Sequence, residues 1–283
     1  MRTWLHPQWI FCFVALFGLG ALARGQTPSP LQEWQYSSGI VLERMFEPAA
    51  PQIRAVAGVG AELLPAYDGS RAYRVRGGPA IDLRFKDVAF ISTGDGVGYN
   101  IVHERRLVAG VSLAYDLGRK EREDYVNLRG MGDKPISVVP KAFATWVVSD
   151  RFPLVVRADL RHLLRAGGGT VGDLGAYLPL PGSSAKLAVF LGPSMTIGSR
   201  RYLRDLFGVS SSQAVAGGRD AYDIEHSGVA AMGAGLSATW RLSRHYLLNV
   251  DGALNWLGHE AADSPLVERV SAHALALSLD YRW

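Results

Sequence analysis

The last nine residues, Leu275-Ala276-Leu277-Ser278-Leu279-Asp280-Tyr281-Arg282-Trp283, carry an apolar side chain at nearly every second position and end on an aromatic. Strand side chains alternate between two faces with a period of two. Leu275, Leu277, Leu279, Tyr281 and Trp283 therefore share one face, and Ala276, Ser278, Asp280 and Arg282 the other. A soluble sandwich strand can alternate this way, but it rarely ends a chain with its most hydrophobic face fully loaded. In a transmembrane barrel the last strand closes the sheet and turns that face to lipid. Leu279, Tyr281 and Trp283 have the form of a terminal signal read by barrel-assembly machinery. The partners this strand implies are that machinery and the outer-membrane lipids.

The other end points to export. Arg2 is followed by a nearly uninterrupted apolar run from Ile10 to Leu22, and Ala21-Leu22-Ala23 is a small-x-small cleavage site. This is the pattern of a secretory signal peptide. The run of 13 residues is short of the roughly 20 that a spanning helix needs. Residues 1–23 are read as the signal peptide, cleaved after Ala23, with Gly25 as the second choice. Residues 24–33, which contain Pro and Gln, read as a flexible segment ahead of a barrel over 34–283. Cys12 is the only cysteine. It leaves with the signal, so no disulfide or thiolate metal site is expected in the mature chain. The expected destination is the outer membrane of a Gram-negative cell.

Charge narrows little. With 30 basic and 26 acidic residues the net charge is +4, one less once Arg2 is removed. That mild excess gives no reason to invoke nucleic acid. The 32 glycines are spread through alternating segments and not pooled in a linker. No apolar stretch of the mature chain reaches transmembrane-helix length. An exported, glycine-rich and aromatic-rich chain of this kind is either a periplasmic β-protein or an outer-membrane barrel.

Strand length decides between them. Period-two runs fall at about 34–43, 54–64, 74–85, 88–101, 105–118, 136–149, 151–163, 170–180, 185–198, 226–241, 245–257 and 270–283. Most exceed the roughly 5–6 residues of a globular strand and match the about 9–11 of a tilted membrane strand. The expected fold is an all-β transmembrane antiparallel up-and-down barrel of about twelve strands, with ten as the fallback. Trp146, Trp240, Trp256 and Trp283 sit near strand ends, where interfacial aromatic girdles belong. Short connections at His103-Glu104, Asp150, Pro181 to Ser184 and Ser243 to His245 alternate with long ones at 119–135, 199–225 and 258–269. Single-chain barrels have short periplasmic turns and long outer loops. Pro65 to Tyr73 breaks the alternation, since this count puts it on the periplasmic side. The strand over 34–43 is the weakest of the twelve. Without it eleven remain, so either it exists or another strand has been merged.

Several loop motifs, taken in order, carry a resemblance. They are Pro65-Ala66-Tyr67-Asp68-Gly69-Ser70, Asp116-Leu117-Gly118-Arg119, Leu128-Arg129-Gly130-Met131-Gly132-Asp133, Tyr202 with Phe207-Gly208-Val209, Ala221-Tyr222, and Ala261-Ala262-Asp263-Ser264-Pro265-Leu266-Val267. Together they resemble the MipA/OmpV family of outer-membrane proteins over residues 50 to 283. The founding member of that family is described as interacting with a lytic transglycosylase. The resemblance implies an outer-membrane barrel without enzymatic activity, acting as a scaffold between murein hydrolase and synthase proteins or as a surface antigen or adhesin. The alternative is a narrow porin-like channel for small polar or anionic solutes. Read as residues alone, most of these positions serve structure: Gly69 and Ser70 suit a tight turn, and Asp133 and Asp263 suit Asx-turns. The functional alternative is that the loops over 119–135, 199–225 and 258–269 fold together over the barrel mouth as a partner or ligand platform.

The interior should be charged. Arg74, Arg76, Arg84, Arg157, Arg161 and Arg282, with Asp82, Asp116, Asp159, Asp251 and Asp280, fall on the face opposite the apolar one. An Arg facing lipid at the midplane would cost about 2–4 kcal/mol. Facing inward, the two signs can pair and fill a lumen, or line a polar channel or a ligand cavity. Catalytic sets are sparse. Among His103, His162, His226, His245, His259 and His273, only His259-Glu260 lies beside an Asp263-Ser264 pair, and neighbours in sequence do not build a triad. No metal-binding His spacing occurs. Gly94 to Gly98 has no helix after it, so it is read as a bulge inside a strand rather than a phosphate loop. No catalytic residue, metal or cofactor is assigned.

Overall fold

The computed structural model describes residues 52–283. The signal peptide, Cys12, residues 24–33 and the expected strand over 34–43 lie outside the described residues. The chain forms a closed antiparallel sheet of twelve strands among them. These are β1 (Ile53–Pro65), β2 (Tyr73–Phe85), β3 (Ala89–Ser92), β4 (Gly96–His103), β5 (Leu107–Asp116), β6 (Ser137–Val147), β7 (Val155–His162), β8 (Thr170–Pro179), β9 (Leu187–Gly198), β10 (Gly228–Arg241), β11 (Tyr246–Leu257) and β12 (Ser271–Arg282). Each pairs with its sequence neighbours. β1 and β12 close the ring in a register from Val56↔Arg282 to Leu63↔Leu275.

The alternation that marks the sequence sorts the two faces. On β12, Leu275, Leu277 and Leu279 are exposed on the outside, while Ser278 and Asp280 are buried inside. β5 repeats this, with Val111, Leu113 and Tyr115 out and Ser112, Ala114 and Asp116 in. Moving one such Leu side chain from water to an apolar phase stabilises by about 1.5–3 kcal/mol. Here the apolar phase is lipid, not a core. Trp146, Trp240 and Trp283 lie at the end where the strands meet the short turns, and Trp256 at the other. Tyr281 packs edge-on against Tyr246 and Trp283, with ring centroids 5.3 and 4.9 Å apart.

The count of twelve holds with different members. The expected strand over 88–101 is two strands, β3 and β4, so a merged strand is part of the count. The segment taken as a bulge is the tip of their hairpin. Gly96 explains the break: its φ is +77°, and a Cβ there would lie 2.1 Å from the Leu113 carbonyl oxygen. The chain therefore turns where a run of alternating residues looked continuous.

Renumbering also removes the exception in the loop pattern. The 66–72 connection now follows an odd strand and belongs with the long outer loops, not with the periplasmic turns. No helix among the described residues is long and apolar enough to cross a membrane. The helices lie in the outer loops: α1 (Tyr125–Leu128), α2 (Arg200–Phe207), α3 (Ser211–Gly217) and α4 (His259–Ala262).

Candidate functional site: the closed outer mouth and the charged lumen

The outer loops fold into the barrel mouth and pack there. α2 starts at Ser199, whose Oγ accepts from the Tyr202 N–H at 3.3 Å, an N-cap that fixes the helix start. One turn of spacing then puts Tyr202, Leu203 and Phe207 on its inner side. They meet Leu163, Val171, Ile224, Ala230 and Ala261 in one cluster. A second cluster joins Tyr67, Leu128, Met131, Val209, Ala214 and Leu266, and Tyr222 packs on both. Five connections thus share one core, which supplies the apolar burial that short helices need, since they are unstable alone.

Polar groups lock the same loops. The Tyr67 hydroxyl donates to the Leu266 carbonyl at 2.8 Å, the Ser264 hydroxyl to the Phe207 carbonyl at 2.6 Å and the Tyr222 hydroxyl to the Glu260 carbonyl at 2.7 Å. Gly69, at φ +98°, sits against Val267 where a Cβ would approach to 2.7 Å. Its carbonyl accepts from the Glu268 and Arg269 N–H groups. Ser70 donates to Asp124 at 3.0 Å.

Behind this layer lies a buried ion-pair chain. Asp116, at the top of β5 and fully buried, meets Arg165 at 2.6 Å. Arg165 reaches Asp205 at 2.7 Å, and Lys134 holds the other Asp205 oxygen at 2.6 Å. Burial alone would push the Asp205 carboxyl up, but Lys134 and Arg165 bring it below its usual range. Lys134 is lowered to about 8, because burial outweighs its one carboxylate and the cations Arg119 and Arg165 add repulsion. The asymmetry follows from the counts: two cations bracket Asp205, and one anion faces Lys134.

Deeper in the lumen a second network centres on Asp95, at the in-turned β3–β4 tip. It faces Lys141 at 3.0 Å, Arg157 at 3.3 Å and Arg84 at 3.8 Å, and Arg84 also bonds Asp82 at 3.0 Å. Arg161 pairs with Asp159 at 3.1 Å and with Asp173. On β12, Asp280 accepts from Asn249 at 2.6 Å and Ser278 at 2.8 Å, and Asp251 is buried on neighbouring β11. Between the two layers remains a cavity of about 90 Å³ whose lining includes Asp68, Arg76, Arg161, Tyr202, Asn255 and His273. Asp68 is open to this cavity but enclosed by protein, which pushes its carboxyl above the usual carboxylate range.

The residues singled out in the sequence divide accordingly. Arg74 pairs with Glu123 at 3.0 Å near the outer rim. Arg282 is at the inner end, where its carbonyl meets His245 Nδ1 at 3.0 Å. Gly118, Gly130 and Gly132 take positive φ in the β5–β6 loop. Arg119 is buried and its backbone bridges to Lys134. Asp133 accepts from the Glu121 N–H at 2.8 Å. Gly208 caps α2 and Ala262 ends α4, with Pro65 half-buried at the top of β1 and Pro265 exposed beside buried Ser264. His259 pairs with Asp263 at 3.1 Å on the exposed surface, while the Ser264 hydroxyl is committed to Phe207, so these residues do not form a nucleophile–base pair. No cluster of metal-ligating side chains occurs among the described residues. Sequence reasoning missed Asp95, Lys134, Lys141, Arg165, Asp173 and Asp205. Asp95 was hidden in a supposed bulge, and Arg165 and Asp205 stand in outer connections, where no strand parity marks an inward face.

A closed antiparallel sheet with an apolar outer face, aromatic ends and a charged, filled interior defines an outer-membrane β-barrel protein. The model of the family described as MltA-interacting protein MipA matches residues 57–283, and the chain belongs to that family. No characterised protein sequence matches it significantly. Among solved structures it is similar in form to the NanC porin (10 % identity, TM-score 0.43, covering 80 % of this chain and 99 % of that one). It is also similar to the CymD monoaromatic hydrocarbon channel (10 %, 0.41, 94 % and 95 %). A third is the anion-selective porin from Comamonas acidovorans (10 %, 0.35, 82 % and 98 %). These likenesses are of barrel form alone.

Proposed function

We propose that this protein is a closed, non-enzymatic outer-membrane barrel that serves as a scaffold for murein-hydrolysing and murein-synthesising proteins. The observation that carries this reading is the packed outer mouth. Barrels near eight strands are filled by side chains, while those of 16 or more leave a channel. At twelve strands the filling decides, and here two layers of it cross the lumen: the loop core around Phe207 and Leu266, and the ion pairs around Asp95. A filled barrel acts through its loops and turns. The family description is of an MltA-interacting protein, and the resemblance implies that a partner of that kind is a murein enzyme. Signal cleavage after Ala23, and delivery through assembly machinery that reads Leu279, Tyr281 and Trp283, belong to the same proposal.

The test has two arms. Refolded protein in a planar bilayer, run beside an Arg157→Ala/Arg161→Ala variant, should stay silent while heat-modifiable gel migration shows a folded barrel. Stable steps whose ion selectivity shifts in the variant would replace the scaffold with a channel for small anionic solutes. Pull-down from crosslinked envelopes should recover a murein hydrolase or synthase. Recovery of neither would end the scaffold reading.

A further inference from the structure

Among the described residues the wall is incomplete on one side. β3 pairs with β2 only from Asp82 to Phe85. Thr93 then closes the row by donating to the Ile81 carbonyl at 2.9 Å and accepting from the Ile81 N–H at 3.2 Å. Above Ile81, the β2 edge from Tyr73 to Ala80 has no backbone partner on that side among the described residues. β5 also outruns its neighbour, since β4 accompanies it only as far as Leu113. Below the hairpin tip, where β3 and β4 lie between them, regular spacing of about 4.8 Å sets β2 and β5 roughly 14 Å apart, and above the tip no described strand fills that interval. The sill of this opening is the inward-folded hairpin tip, tied to β5 by the Tyr115 hydroxyl donating to the Thr93 carbonyl at 2.6 Å. Its upper border is the β5–β6 loop, fastened to β2 by the Arg74–Glu123 pair at 3.0 Å.

An open strand edge facing hydrocarbon leaves backbone groups that lipid tails cannot satisfy. The sequence here limits that cost without removing it. Continuing the alternation from Ile81 places Pro79, Gly77 and Val75 on the free edge. Pro79 has no N–H to strand, but the N–H groups of Gly77 and Val75 remain. The outward frame is apolar, with Val75, Val97 and Leu113 all well exposed. Inside, a Cβ on Gly78 would meet nothing within 4 Å, so the lumen behind the edge is open. Arg76 stands next to this space and lines the cavity. All three of its guanidinium nitrogens are buried without a hydrogen-bond partner. Buried donors of this kind are normally satisfied by protein, water or ligand. The carboxylates of Glu123, Glu62 and Asp68 act on the Arg76 charge, but none bonds it, and Glu123 is taken by Arg74.

We propose that the gap between β2 and β5 is a lateral port in which an anionic membrane lipid docks, its acyl chain against Val75, Val97 and Leu113 and its headgroup oxygens on Arg76. Charge complementarity selects this occupant: the unmet groups are donors, and the frame around them is apolar.

The test places a fluorophore on a Gly78→Cys variant of the full chain, refolded in phosphatidylcholine vesicles, with Leu277→Cys as an outward-facing control. Spin-labelled phosphatidic acid should quench the label at 78 saturably and beyond its effect at 277, while spin-labelled phosphatidylcholine should not distinguish the positions. Adding Arg76→Gln should weaken the phosphatidic acid response by about tenfold or more, as expected for loss of charge-assisted hydrogen bonds, and Arg76→Lys should restore part of it. Inorganic phosphate at millimolar concentration should not compete. Equal quenching at both positions, indifference to Arg76→Gln, or displacement by free phosphate would each overturn the proposal. Should Arg76→Gln fail to fold, the comparison of the two lipids on the Gly78→Cys protein still decides it.

Discussion

The two ends of the barrel use the same ion pairs to opposite effect. At the outer end Arg165, Asp116, Asp205 and Lys134 are almost wholly buried under an apolar layer. At the inner end Arg105 and Arg106 meet Asp150 across two short turns, with each side chain about half or more exposed. A buried pair cannot lose one member cheaply, because the survivor keeps its desolvation cost. An exposed pair exchanges its partner for water and salt. The outer end is therefore a fitted structural unit, and the inner end is a set of independent turns.

The largest effect that can break this contrast is Arg165→Met. It removes the cation between two buried carboxylates, and removal of one partner from a buried pair costs about 3–5 kcal/mol. The loop over residues 199–227 should become protease-sensitive in the folded barrel, and the denaturant midpoint for loop opening should fall. Leu203→Ala comes next, at about 3 kcal/mol for a leucine only 1 % exposed. It should loosen the same loop. Equal protection of that loop in either variant and in the parent would show that the ion pairs and α2 are not one unit.

These variants touch what the sequence did not reveal. The barrel was legible because strand alternation is local: Leu275, Leu277 and Leu279 announce their face within one strand. The inward position of Arg84, Arg157 and Asp280 follows from the same parity. The plug depends on contacts distant in the chain, such as Tyr67 with Leu266 and Ser70 with Asp124, and no local period encodes those. Its motifs were visible, and they resembled a family, but the residues read as turns. Tyr67 and Ser264 are instead hydrogen-bonding posts in a core. The β3–β4 break was missed for a related reason. Gly94-Asp95-Gly96 fits a bulge or a turn equally well, and only the approach of Gly96 to Leu113 decides.

Proton linkage sharpens the contrast with a smaller effect. Lys134 has a value of about 8 with the plug closed, against an ordinary 10.5. Between these values the opened loop binds a proton that the closed one has released, so closure gains stability as pH rises from about 8 to 10.5 and is flat with respect to this group below 8. Asp205 acts at the other extreme. Its lowered value contributes stability above 3.8 that is lost as pH falls through the lower value of the closed state. Protease protection of the 199–227 loop should rise across the alkaline window, and Lys134→Met should abolish that rise. A rise that survives the substitution would assign it to another group.

The smallest effect is expected at the inner end, and it is the sharper control for being small. Asp150→Ala deletes the carboxylate that both Arg105 and Arg106 face. The Arg106 hydrogen bond holds the Asp150 carboxyl below its usual range even though the side chain is half open to water. That shift reports a contact between side chains, not a contribution that folding depends on, since water and counterions can take either partner's place. The turn that carries Asp150 is held independently: the Ser149 hydroxyl accepts from the Phe152 N–H at 2.9 Å, and Val148 donates to the Leu154 carbonyl at 2.9 Å. Asp150→Ala should leave the denaturant midpoint, the heat-modifiable migration and the protection of the outer loops unchanged, at low salt as at high. A loss comparable to that of Arg165→Met would mean that the inner turns are coupled to the barrel as tightly as the plug is, and the distinction between a fitted end and a loose end would fail.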